Sequence, residues 1–95
     1  MTRHQYRSDL GIISDILSVT MDGGSQGTMI SSISRRANMS NDVIITKCER
    51  LRNAGLIESR RHKRNHTFII TEKGIEFFQQ LQKFIELVRE VKIRY

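Results

Sequence analysis

From Glu72 to about Arg94 the apolar residues keep a helical period, and no proline interrupts them. Such a stretch predicts a rod of roughly 35 Å at about 1.5 Å per residue, which is long for a chain of 95 residues. Within it Phe77, Leu81, Phe84, Val88, Val91 and Tyr95 recur at steps of four and three, a heptad seam, and Phe78, Ile85 and Leu87 widen the apolar surface. Ile75, Phe78 and Leu81 are expected to pack on their own domain. The distal half exceeds what so small a body can cover, so the seam is expected to meet a second copy and form a homodimer, parallel or antiparallel. A helix that folds back on its own core, or frays at its end, is the competing explanation.

The remaining length suits one domain, giving an expected division into a compact module at 1–71 and a dimerisation helix at 72–95. Charged residues at 27% and hydrophobic ones at 38% describe an ordinary folding chain. A single cysteine excludes an intramolecular disulfide and a four-thiolate zinc site, and fits a reducing, intracellular setting. No apolar run approaches the roughly 20 residues needed to cross a bilayer, and no apolar signal core opens the chain. The expectation is a soluble cytoplasmic protein with no membrane partner.

Leu10, Ile13, Ile16, Leu17 and Met21 share one helical stripe, with Ser8 as N-cap and Gly23-Gly24 as the stop. After the loop 23–27, Thr28 is expected to cap a short second helix carrying Met29, Ile30, Ile33 and Ala37 inward. Asn38-Met39-Ser40 breaks it, and Ser40 caps a third helix with the stripe Ile44, Cys48 and Leu51, ending at Gly55. Two short helices separated by three residues predict a helix-turn-helix. Residues 56–61 and 66–71 read as a β-hairpin around the polar segment 62–65, with Phe68 and Ile70 inward and Thr67 and Ile69 outward. Thr71 caps the last helix. The fold class is mainly α with a small β-hairpin wing and a long C-terminal helix.

Charge then says what such a body meets. Residues 35–66 hold nine basic side chains against Asp42, Glu49 and Glu58, an excess of six that equals the net charge of the whole chain. A merely solubilising surface spreads its charge; this concentration is what binding to phosphates requires.

The stretches Ala37-Asn38-Met39-Ser40, Leu51-Arg52-Asn53-Ala54-Gly55-Leu56-Ile57 and Phe68-Ile69-Ile70-Thr71-Glu72-Lys73-Gly74 resemble the archaeal winged-helix family that includes the ten-kilodalton crenarchaeal DNA-binding proteins. The likeness runs from about residue 7 onward. It implies double-stranded DNA binding through the module 1–71, by a dimer whose C-terminal helices form a coiled coil, commonly antiparallel. The chain departs from that pattern in the apolar Val43 and Ile45 of its third helix and in an unusually basic wing turn.

Stepping 100° per residue from a buried Ile44 puts Asp42, Thr46, Glu49 and Asn53 on the outward face, flanked by Val43 and Arg50. The major-groove candidates are therefore Ser40, Asn41, Asp42, Val43, Thr46 and Arg50, with Arg50 suited to fork onto guanine or phosphate. Asp42 has a competing role at the helix N-terminus, and Glu49 can be neutralised by Arg50 or Arg52. Arg60, Arg61, Lys63, Arg64 and Asn65 form the expected wing contact with phosphates or the minor groove. Arg35 and Arg36 are divided between phosphate contact and stabilising their own helix end.

No motif points to catalysis or to a cofactor. His62 and His66 have half of a zinc-finger spacing but no cysteine pair, and Cys48 reads as a small buried hydrophobe. Two functions remain: a dimeric, nucleoid-associated DNA-binding protein, regulator or architectural, and a winged-helix module that binds another protein. No small-molecule effector is identifiable from these residues.

Overall fold

The computed structural model describes residues 8–93, so Tyr95 of the seam and the basic N-terminal residues lie outside the described part. Helix α1 (Asp9–Gly23) starts where Ser8 Oγ accepts the Gly11 amide at 3.0 Å. Its burial is wider than one stripe: Ile12, Ile13, Ile16, Leu17, Val19 and Thr20 are all buried. The reason is position, since α1 lies among all the other helices and the sheet. Buried Thr20 satisfies its hydroxyl on the Ile16 and Leu17 carbonyls.

A 3₁₀ turn, Gly24–Gln26, leads into a two-residue strand β1 (Thr28–Met29), for which the sequence gives no warning. Thr28 does not cap a helix. It pairs with Phe68 in an antiparallel ladder, and its hydroxyl donates to Val19 O at 3.4 Å. Met29, expected inward, is 44% exposed. Helix α2 (Ile30–Ala37) buries Ile33 and Ala37 and ends at Asn38, whose left-handed φ of 57° lets the Asn38 and Met39 amides turn back to the Arg35 and Ser34 carbonyls. Helix α3 (Asn41–Asn53) then begins with Ser40 Oγ accepting the Val43 amide at 3.3 Å, and it buries Ile44, Cys48 and Leu51 as expected. Burial pushes the Cys48 thiol up to about 12, so it stays neutral and packs as an apolar group.

Strands β2 (Ile57–His62) and β3 (Asn65–Ile70) form the hairpin, each reaching one residue closer to the turn than predicted, and the sheet order is β1-β3-β2. Ile57, Phe68 and Ile70 enter the core. Ile69, expected to face outward, is also buried, because the loop at Gly27 closes over the second face of β3. Gly27 has φ 86°, and a Cβ there would stand 2.8 Å from the Thr67 side chain and 3.2 Å from Ile69 Cγ1.

Helix α4 (Glu72–Glu90) has 19 residues, roughly 28 Å, and stops a turn earlier than predicted. Lys92 adopts φ 59°, and the Ile93 amide returns to Val88 O at 2.9 Å. The predicted seam is divided. Leu81 and Val88 are buried in their own chain with Ile85, because α1 runs beside α4 and Gln82 donates to Ser14 Oγ at 3.1 Å. Phe77, Phe84, Leu87 and Val91 remain exposed, by 41% to 56%, along the adjoining strip.

The stretches around Gly55 and Thr71 meet in one joint. The Thr71 hydroxyl donates to Gly55 O at 2.7 Å and accepts the Gly74 amide at 3.0 Å. The Thr71 amide reaches Leu56 O at 3.0 Å, and Lys73 Nζ reaches Ala54 O at 2.8 Å. A Cβ on Gly74 would sit 2.0 Å from Leu56 O, so only glycine fits. The joint fixes the start of α4 against the end of α3.

Candidate nucleic-acid interface

Helix α3 presents three different surfaces. Outward, Asp42, Thr46, Glu49 and Asn53 are exposed, and this strip carries two carboxylates and no cation. Thr46 donates its hydroxyl to Asp42 O at 3.1 Å, leaving its oxygen lone pairs toward solvent. Ser40 and Asn41 are exposed at the helix start, while Val43 is half-buried on the flank, where helical stepping puts it.

The flank toward α1 holds Lys47 and Arg50, and both converge on Asp9. Lys47 Nζ lies 2.6 Å from Asp9 Oδ1, and Arg50 Nη1 donates to both Asp9 oxygens at 3.2 and 3.1 Å. The hydrogen bond from Lys47, then that from Arg50, holds the Asp9 carboxyl below the usual carboxylate range against a partial desolvation that pulls the other way. The sequence predicts Arg50 standing ready for guanine or phosphate. It is instead engaged by a residue 41 positions earlier in the chain.

The opposite flank faces the wing across a cleft of about 400 Å³ lined by Ile30, Ile45, Glu49, Arg52, Ser59, Arg61, His66 and Phe68. Alternation along β2 and β3 builds it. Ile57 and Phe68 fill the core end of the helix-facing side, and Ser59, Arg61 and His66 continue that side into solvent. His66 Nε2 and Ser59 Oγ are 2.5 Å apart, and the His66 ring leans on Phe68 with centroids 4.8 Å apart. Desolvation, followed by the Arg61 and Arg52 charges, lowers the His66 pKa, so its neutral form is favoured. Exposed Ile45, a departure from the family pattern in sequence, is part of the cleft's apolar floor.

At the wing tip Arg60, His62, Lys63, Arg64 and Asn65 are all exposed. Arg60 and His62 lie on the sheet face opposite Arg61 and His66, so the two histidines do not converge. Among the described residues no three potential metal ligands lie together. Lys63 takes φ 57° in the two-residue turn, a conformation normally left to glycine or asparagine. Elsewhere Arg36 pairs with Asp22 at 2.7 Å, whereas Arg35 is exposed.

Sequence reasoning thus points to the wing cations, names Arg52 only as a partner for Glu49 and His66 only as a DNA-facing or exposed imidazole, and does not single out Asp9 or Ser59. The alternation of Ser59 and Arg61 opposite Phe68 and His66 is the signal for the cleft; no local signal marks the pairing of Asp9 with Arg50.

No helix among the described residues is long and apolar enough to cross a membrane. No curated protein matches the chain. Among solved structures it is similar to Sso10a-2, a DNA-binding protein from Sulfolobus solfataricus, at 20% identity and a TM-score of 0.79, covering 90% of this chain and 86% of that one. AF1382 from Archaeoglobus fulgidus shares 16% identity at a TM-score of 0.71, with 92% and 97% covered. The transcriptional regulator BldR from Sulfolobus solfataricus shares 20% identity at a TM-score of 0.74, with 84% of this chain covered but only 58% of BldR. These likenesses are likenesses of fold. The winged helix-turn-helix pattern matches residues 6–89, and with the helix order, the hairpin and the α3–α4 joint described above, the chain belongs to the winged helix-turn-helix family.

Proposed function

We propose that this chain is a non-enzymatic, double-stranded DNA-binding protein, acting as a homodimer. The observation that carries the reading is the gathering of Arg52, Arg60, Arg61, Lys63 and Arg64 around the α3–wing cleft and the wing tip, where only Glu49 and Glu58 oppose them. In this reading the wing and cleft hold phosphates, and the exposed start of α3, Ser40 to Asp42 with Thr46, enters the major groove. The outward carboxylates Asp42 and Glu49 suit acceptance from the cytosine amino group. Support comes also from Sso10a-2, a DNA-binding protein of the same fold.

The dimer uses the exposed strip along α4, Phe77, Phe84, Leu87 and Val91, so that this helix serves both the core and the second copy. Leu81 and Val88, turned into their own chain, are not part of that interface. Sedimentation equilibrium tests it: wild type sediments as a dimer, and Phe84→Asp, which alters an exposed side chain, sediments as a monomer. A monomeric wild type would remove the dimer.

Titration of random-sequence duplex at about 50 and 200 mM salt tests the DNA reading, because phosphate-dominated binding weakens steeply over that range. No binding at either concentration would overturn it and favour the second reading, a protein-interaction module, for which the exposed Met29 and Ile45 offer an apolar surface. Selection from a random duplex pool then separates a regulator, which enriches one site, from an architectural protein, which enriches none.

A further inference from the structure

Lys47 and Arg50 are the cations on the α1 side of the recognition helix, and the free protein already holds an anion between them. Asp9 Oδ1 lies 2.6 Å from Lys47 Nζ, and Arg50 Nη1 reaches both Asp9 oxygens. A DNA phosphate close enough to accept from Arg50 would stand within a few ångströms of a carboxylate bonded to the same nitrogen. Two anions at that spacing repel strongly, so one of them has to leave.

We infer that Asp9 is an internal stand-in for a backbone phosphate: it occupies Lys47 and Arg50 in the free protein and is replaced there by DNA when α3 docks. This rests on the DNA-binding reading above and adds a residue that sets its strength. Three features fit Asp9 to exchange rather than to permanent attachment. Its side chain and that of Arg50 are about half exposed, at 50% and 54%, and exposed pairs are weak and screened by salt. Asp9 is the acidic residue of the first turn of α1, where the helix dipole stabilises a carboxylate whether or not its cation partners stay. The charge-assisted bonds that Lys47 and Arg50 make to a carboxylate are of the kind they make to phosphate, so the replacement keeps the cations satisfied throughout.

The consequence is that docking α3 strengthens binding less than its cations suggest. While Asp9 is present, two of the helix's positive charges meet DNA only by giving up a bond they already have. Neutralising Asp9 therefore strengthens binding, the opposite of what loss of a structural ion pair would do.

The test compares wild type, Asp9→Asn, Asp9→Glu and Arg50→Ala, together with Asp9→Asn combined with Lys47→Ala and Arg50→Ala, for binding to random-sequence duplex across a salt series. Asp9→Asn is expected to bind several-fold tighter than wild type at low salt, where phosphate contacts weigh most, because Lys47 and Arg50 no longer give up a carboxylate to take the phosphate. Asp9→Glu keeps the charge and is expected to stay near wild type, and the triple variant to lose the increase. Thermal melting of each variant, followed by circular dichroism, confirms that the folded protein is being compared. If wild type binds and Asp9→Asn binds equally or more weakly, the inference fails while the DNA reading stands. If wild type itself binds no duplex, both fall.

Discussion

The two flanks of helix α3 carry cations of the same kind and treat them in opposite ways. On the α1 side, Lys47 and Arg50 are held by Asp9 at 2.6 to 3.2 Å. On the wing side, Arg52 shares a cleft with Arg61 and His66, and the positive charge there adds to desolvation in disfavouring protonation of the imidazole. Charge counted along a chain is therefore not charge offered to a ligand. Residues 35–66 hold the full excess of the sequence, but Asp9, outside that interval, cancels part of it at one flank. The wing side is left as the stronger attractor.

The largest effect is expected from removing the charge of the wing. Substituting Arg60, Lys63 and Arg64 together by alanine is expected to flatten the salt dependence by about 2.7, at about 0.9 for each phosphate released, and to cost on the order of 500-fold in affinity near 0.1 M salt, with little change in sequence preference. An unchanged slope would take the wing out of the interface. A sharper version sets single substitutions against one another: Arg52→Ala and Arg61→Ala should each lose about 0.9 in slope, roughly tenfold in affinity, whereas Arg50→Ala should lose clearly less because Asp9 already holds that guanidinium. Equal losses from all three would erase the asymmetry.

Lys63→Gly separates stability from binding within the wing. The left-handed turn costs a side chain about 1 kcal/mol, so the glycine variant should melt several degrees higher and yet bind DNA more weakly for want of one cation. A lower melting temperature would show the turn to be unstrained. The smallest effect concerns pH. Protonating His66 adds a cation to the cleft, and because its pKa is lowered, affinity should rise a few-fold only at a pH under the ordinary histidine value of about 6.5, and His66→Gln should reduce the rise. Folding has the opposite sign: the folded protein favours neutral His66, so the unfolded chain takes up the proton first, and stability falls as pH drops through the unfolded value toward the lower folded one.

What the sequence made legible was what neighbours along the chain decide. Ser8, Ser40 and Thr71 all cap as expected, because each hydroxyl meets an amide three residues away. The inward stripes of α2 and α3 and the position of the hairpin follow from period alone, Met29 excepted. Strand β1 escapes such reasoning because two residues have no period, and their partners Phe68 and Thr67 are far along the chain. Ile69 is assigned outward because alternation predicts two faces but not the loop that covers one of them. Leu81 turns into its own domain as expected, but Val88 is assigned to a partner because a heptad seam looks the same whether the second helix is another copy or the chain's own α1. In the candidate interface, the exposed wing cations can be read directly, while the cleft and the Asp9 contact arise only when α3 is set against β2 and α1.

The hydrogen-bonded knuckle formed by Thr71, Lys73 and Gly74 against residues 54–56 leaves no slack between α3 and the rod that follows it. In the proposed dimer, joined through that rod, each α4 would act as a strut, and the distance between the two DNA-facing surfaces would be set by strut length and crossing angle instead of by a flexible tether. Lengthening α4 by a whole number of turns would then move the preferred half-site spacing in steps, whereas inserting residues at Gly55 would blur it.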